Sequence, residues 1–312
     1  MAKAFTSACV TGGAGFIGSH LVRALFDRGL QVRVIDDLSV GRRENVPEGV
    51  DLIVGDIMHH DVAAAAADVD VVFHLAARVA IRSSFEYVVE DTATNLTGTA
   101  SILRSIALAP RRTVKRFVLA SSMAVYADSN PGMPMAETHA TDPISPYGIS
   151  KLAAEQLSRR MCEQIGIDSV SLRLFNTYGP GQVFSPYVGV VTIFTRKLLA
   201  AETPTIFGDG EQQRDFVHVQ DVVQGFLSAM DHAPTGRVYN IGSGQGLTVN
   251  EVYKAIQSVL GVTVAAHHKP SVPGELRYSI ADINQAKRAL GYMPLHEFQV
   301  SIADIVKEIE RS

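Results

Sequence analysis

Through the first 175 residues, short continuous apolar runs alternate with longer stretches whose apolar positions recur at helical spacing. Ala8-Cys9-Val10, Val32-Arg33-Val34-Ile35, Leu52-Ile53-Val54, Val71-Val72-Phe73 and Phe117-Val118-Leu119 read as buried strands. Phe16 to Arg28 and Tyr87 to Leu108 read as helices between them, and Val170 to Leu174 as a sixth strand after a helix at Tyr147 to Gln164. A parallel crossover needs about a dozen residues or more, so this alternation predicts βαβ units and an α/β, doubly wound parallel sheet. Both faces of such a sheet are covered, which accounts for strands that are apolar throughout.

Beyond Asn176 the chain is punctuated by Gly and Pro, as in Tyr178-Gly179-Pro180-Gly181, Phe207-Gly208-Asp209-Gly210 and Val272-Pro273-Gly274. Helical spacing persists at Val190 to Ala201, Val219 to Asp231, Val249 to Leu260 and Ile302 to Glu310. The expected organisation is a first domain over residues 1–175 and a smaller, interwoven α/β lobe over 176–312, with segments near 215–242 returning to the first. The alanines at Ala63 to Ala67 need no explanation beyond high helix propensity in a short helix.

Composition narrows the class. Apolar residues make up 46% of the 312 and charged residues 19%, enough for a large core and too few charges for a disordered chain. The net charge of −4 gives no clustered positive charge for nucleic acid. No apolar run approaches the roughly 18 residues of a membrane span, and Met1-Ala2-Lys3-Ala4-Phe5 lacks the apolar centre of a secretory signal. Cys9 and Cys162 are too few for a disulfide scaffold or a cysteine-based zinc site, so no metal is expected. A soluble cytoplasmic protein is the expectation.

Two stretches carry chemistry. Thr11-Gly12-Gly13-Ala14-Gly15-Phe16-Ile17-Gly18 follows the first strand and opens the first helix. Glycines there permit a tight turn and close backbone approach to a pyrophosphate, and the helix N-terminus offers unpaired N–H groups to the anion. About 20 residues on, Asp36 ends the second strand, where a carboxylate accepts from the adenine ribose hydroxyls. It would repel a 2′-phosphate, so NAD is favoured over NADP, although Arg42 and Arg43 soften the preference. Asp56-Ile57, ending the third strand, is placed to reach the adenine edge or simply to cap a turn.

The second stretch is Ser145-Pro146-Tyr147-Gly148-Ile149-Ser150-Lys151, which puts Tyr147 and Lys151 on one helical face. A phenol with a free pKa of about 10 is a poor base at neutral pH. An ammonium and a pyridinium beside it favour the phenolate. Ser122 lies just past the fifth strand, at the sheet edge where such folds bind ligands, and its hydroxyl suits a substrate oxygen or a local turn.

With TGGAGFIGSH at 11–20, GDI at 55–57, HLAA at 74–77, NLTGT at 95–99, SSMAVY at 121–126, PYGISK at 146–151, LFNTYGPGQ at 174–182 and IFGDGEQQRDFVHVQDV at 206–222, the chain resembles the extended short-chain dehydrogenases/reductases. It is similar to their nucleotide-sugar epimerase/dehydratase group, most of all the UDP-glucose (UDP-galactose) 4-epimerases. The resemblance implies a Rossmann-type fold and an NAD cofactor on the backbone of Gly12, Gly15, Phe16, Ile17 and Gly18. Asp36 would hold the ribose and Asp56-Ile57 the adenine, with Ala76, Ala77, Asn95 and Ser121 along the cofactor. Tyr147 is the implied base, Lys151 its partner and Ser122 the hydroxyl sharing the sugar 4-OH. Asn176 and Arg214 would hold the diphosphate of a UDP-sugar, with Phe207 packed at the uracil; a guanidinium suits a diphosphate through its fork of donors.

Three departures qualify this. Met123-Ala124 stand where dehydratases carry Asp-Glu, and the decarboxylases also keep a Glu; neither residue can move a proton. Val272 replaces a common Arg, whose charge Arg277 is expected to supply. Ser279 is small, compatible with N-acetylated as well as plain hexoses. A uronate 4-epimerase, a dehydratase, a keto-sugar reductase or a non-catalytic dinucleotide sensor on the same scaffold are the competing readings. Apolar residues on the two long helices (Leu96, Ile102, Leu103, Ile106; Leu152, Leu157, Met161) exceed what one sheet face needs, which suggests a homodimer or simply a buried core.

Overall fold

The computed structural model describes residues 5–79, 81, 83–182, 189–271 and 276–311. In chain order the first part comprises β1 (Ser7–Thr11), α1 (Phe16–Asp27), β2 (Gln31–Asp36), β3 (Asp51–Val54), α2 (His60–Ala64), β4 (Val71–His74), α3 (Val88–Thr92), α4 (Thr99–Leu108), β5 (Arg116–Ser122), α5 (Pro146–Ile165) and β6 (Asp168–Leu174). There follow β7 (Asn176–Tyr178), α6 (Val190–Leu199), β8 (Thr205–Phe207), β9 (Gln213–His218), α7 (Val219–His232), β10 (Arg237–Ile241), β11 (Gly246–Thr248) and α8 (Val249–Leu260). The chain continues through β12 (His267–Lys269), β13 (Tyr278–Ser279), α9 (Asn284–Leu290) and α10 (Phe298–Arg311).

Seven strands form one parallel sheet in the order β10-β6-β5-β4-β1-β2-β3. The order reverses at β1, so the crevice for a ligand opens between β1 and β4 at their C-terminal ends. The Rossmann-type sheet read from the apolar runs is present, with a separate apolar core on each face. β3 is the exception: as the sheet's edge strand it is only half covered, and Val54 lies exposed. The seventh strand, β10, comes from beyond residue 176 and pairs with β6.

The helix expected over Tyr87 to Leu108 is broken. Between α3 and α4, residues Ala93–Gly98 form a wider π-type turn, where the Thr99 hydroxyl donates to the Asn95 carbonyl at 2.6 Å. Such turns recur at functional sites. Ile102, Leu103 and Ile106, read as surplus apolar residues, are fully buried beneath the sheet; Leu96, Leu152, Leu157 and Met161 stay partly exposed.

The remaining short strands lie beyond β6. β11, β9 and β13 form a small sheet with β7 also on β9, while β8 pairs with β12. A third apolar core under α6, α8 and α10 supports them. No helix among the described residues is long and apolar enough to cross a membrane.

Candidate active site

Gly12 turns with φ +71°, and a Cβ there would stand 2.8 Å from the Ala76 backbone nitrogen. A Cβ on Gly18 would sit 2.0 Å from the Gly12 carbonyl oxygen. Glycine is thus imposed at both positions by backbone packed against backbone. α1 starts at Gly15 with no side-chain cap, so the N–H groups of Phe16, Ile17 and Gly18 open onto the crevice mouth with the positive end of the helix dipole behind them. Such a cradle fits a pyrophosphate. The Thr11 hydroxyl and the Ala76 N–H are 3.2 Å apart, which ties the cradle to the strand end that carries Ala76 and Ala77.

Asp36 is buried beside it. Its carboxylate accepts the Ala14 and Leu38 N–H groups, each at 2.9 Å, and burial raises its pKa, against the pull of those hydrogen bonds. The carboxylate keeps acceptor capacity that suits a ribose diol. Arg42 and Arg43 are exposed. Asp56 accepts the Met58 N–H at 2.8 Å, the turn-capping role weighed for it, and Ile57 points its side chain into the core.

Pro146 at the first turn and Ser145, whose hydroxyl accepts the Gly148 N–H at 3.1 Å, start α5. A Cβ on Gly148 would lie 2.1 Å from the Ala124 carbonyl oxygen, so α5 presses directly on the loop after β5. That contact brings Tyr147 to Ser122. Burial pushes the Tyr147 phenol up to about 12; the Ser122 hydroxyl donates to it and pulls the other way, and the Asp91 carboxylate raises it further. Lys151, also buried, is pushed down to about 8, with Glu155 one turn on opposing the shift. A cation must therefore offset the burial before the phenol can act near neutral pH.

Asn95 holds this helix to the cofactor side. Its side chain accepts the Arg78 N–H at 2.8 Å and donates to the Arg78 carbonyl at 3.1 Å and to the Ser150 hydroxyl at 3.1 Å. It is a positioning residue between the segment after β4 and α5. Ser121 turns away from the crevice: its hydroxyl donates to Glu155 at 2.5 Å. Glu155 also binds Arg173 through both oxygens, at 2.8 and 2.9 Å. Spacing alone could have singled out Glu155, four residues past Lys151. Asp91, held by Arg78 at 2.9 Å, carried no such signal.

The small sheet collects the other residues. Asn176 pairs with Phe216 across β7 and β9, and Ser279 pairs with Arg214 across β13 and β9. Asn176 Oδ1 and Ser279 Oγ are buried polar atoms without a hydrogen-bond partner among the described residues. Arg214 is buried and donates to the Gln213 and Arg277 carbonyls at 2.9 and 3.1 Å. Arg277 is exposed and its side chain binds Asp209 at 2.7 Å. Phe207 ends β8, on the other small sheet. Val272 lies outside the described residues.

Comparison with known proteins agrees with this arrangement. The chain is 36% identical over 300 residues to a putative UDP-glucose 4-epimerase of Methanocaldococcus jannaschii, covering 95% of this chain and 96% of that one. The structure superposes with TM-score 0.92 on a UDP-glucose 4-epimerase of Thermotoga maritima solved with UDP-glucose, at 35% identity and with 98% and 99% of the two chains covered. It also superposes with TM-score 0.90 on a UDP-N-acetylglucosamine 4-epimerase of Methanobrevibacter ruminantium in complex with UDP-N-acetylmuramic acid, at 32% identity and with 97% and 98% covered. A family model matches residues 8–242. With the glycine turn, Asp36 and the Tyr-Lys helix in place, the chain belongs to the NAD dependent epimerase/dehydratase family.

Proposed function

We propose that the chain inverts C4 of a UDP-hexose, UDP-glucose and UDP-galactose or their N-acetylated forms, through a transient 4-keto sugar. The observation that carries this is Tyr147, buried against Ser122 and on the helical face of Lys151, beside a glycine cradle that fits a dinucleotide. NAD bound there would accept the C4 hydride and return it to the opposite face. Tyr147 as phenolate takes the 4-OH proton and gives it back. Lys151 keeps that phenol ionisable, and Ser122 holds the reacting oxygen. Asn176, Arg214 and Phe207 anchor the nucleotide while the sugar turns, and the small Ser279 leaves room at C2. Met123 and Ala124, buried at the sheet end, supply no acid or base for dehydration or decarboxylation. The partly exposed Leu96, Leu157 and Met161 support pairing with a second copy through α4 and α5; a molar mass of one chain in solution would remove that part.

The test is incubation with UDP-glucose, UDP-galactose and their N-acetyl analogues, with C4 configuration followed by NMR. Interconversion without net NADH consumption is expected, and no turnover of any of them overturns the reading. Tyr147→Phe should lower turnover by about 1,000-fold or more while nucleotide binding persists.

A further inference from the structure

β6 does not read like its neighbours in the large sheet. Val170, Leu172 and Leu174 enter the main apolar core, whereas the alternate residues Ser169, Ser171 and Arg173 are polar and face the other way. On that side a cavity of about 200 Å³ lies between α5, β6 and β10. Its charged lining is Glu155, Arg159, Arg173 and Arg237, with the Ser169 and Ser171 side chains between them.

The charges do not cancel. Glu155 is the one carboxylate in the lining, and its oxygens are occupied by Arg173 Nε and Nη2 and the Ser121 hydroxyl. Arg159 and Arg237 are exposed, and neither side chain is hydrogen-bonded or ion-paired to any described residue. Arg159 and Arg237 therefore leave the lining with a surplus of positive charge, which a small anion would balance. Their planar donor forks match tetrahedral oxyanions, and the serine hydroxyls add donors that carry no charge. Arg159 and Arg237 have no part in the proposed epimerase chemistry.

We propose that this cavity binds a small, doubly charged oxyanion of the phosphate class, apart from both the glycine cradle and the nucleotide-sugar contacts. Glu155 links it to the active site, since it lies one turn beyond Lys151 and holds Ser121, the neighbour of Ser122.

The experiment is calorimetric titration of the full chain with inorganic phosphate at low salt, with NAD and UDP already present so that the other phosphate-binding groups are filled. One additional equivalent of phosphate should bind. Arg159→Gln combined with Arg237→Gln should weaken that binding by about ten-fold or more, with turnover in phosphate-free buffer unchanged. Absence of binding to the unaltered chain, or equal binding by the double variant, overturns the proposal. The readout involves no sugar, so its failure leaves the epimerase reading standing, and the reverse holds as well.

Discussion

The seven-stranded sheet and the small sheet around β9 are held by different means. In the large sheet, whole strands such as Phe117-Val118-Leu119 vanish into apolar cores on both faces, and stability is spread over many contacts. Around β9 it is concentrated in single polar groups. The fully buried Asp215 accepts the Ser243 N–H and hydroxyl at 2.7 Å each, the Gly244 N–H at 2.9 Å and the Ala281 N–H at 3.1 Å. One side chain thus ties two distant segments to β9, beside Arg214 and Ser279. The contrast suits the proposed division of labour, with a stiff wall for the cofactor and a lobe whose parts are tied at points while a sugar turns beside it.

The largest effect expected on that comparison is at the cradle of the large sheet. Gly18→Ala places a methyl carbon 2.0 Å from the Gly12 carbonyl oxygen, so the loop must open. Dinucleotide affinity should fall by about 100-fold or more, measured by titrating NAD, with the circular dichroism spectrum retained. Unchanged affinity would place the pyrophosphate elsewhere.

Asp215→Ala tests the small sheet. Three N–H groups, that of Ala281 buried and those of Ser243 and Gly244 half-buried, lose their acceptor, which should cost about 3 kcal/mol of stability in chemical denaturation. NAD affinity, which depends on the other sheet, should change little. If both fall together, the two regions are not separable.

A subtler difference lies in two histidines. His218, on β9, is pushed down to about 4 by burial and by His296, whose ring stacks on it at 4.3 Å; His74, on β4, is pushed down to about 3 by burial. Unfolded, each would titrate near 6.5. The folded chain therefore binds fewer protons below that pH, so both contributions are complete above about 6.5 and decline as pH falls toward the folded values. His218 also caps α7, its Nδ1 accepting the Gln220 N–H at 3.3 Å. His218→Asn keeps a capping acceptor and removes one of the two titrations. Thermal melts between pH 7 and about 4 should flatten relative to the unaltered chain without becoming level, because His74 remains.

The smallest effect belongs to the exposed ion pair between α1 and α7, Arg28 to Asp231 at 2.9 Å. Arg28→Ala should cost about 0.5 kcal/mol or less. A larger loss in denaturant titrations would mean that surface charge, and not apolar burial, joins α7 to the large sheet.

The sequence by itself determined the repeating βαβ order, the glycine cradle, Asp36 and the Tyr147-Lys151 face, because each rests on local spacing: period two or 3.6, a strand before and a helix after. Only the tertiary structure decided that Ser121 serves Glu155 and not the crevice, that Asn95 sits in a π-type turn and clamps α5, and that Asp215 ties two distant segments to β9. The short strands β7, β8 and β11 to β13 were equally hidden, since two or three residues carry too little periodicity to be read alone. Those features depend on partners tens of positions away, and no local pattern encodes which donor will meet which acceptor.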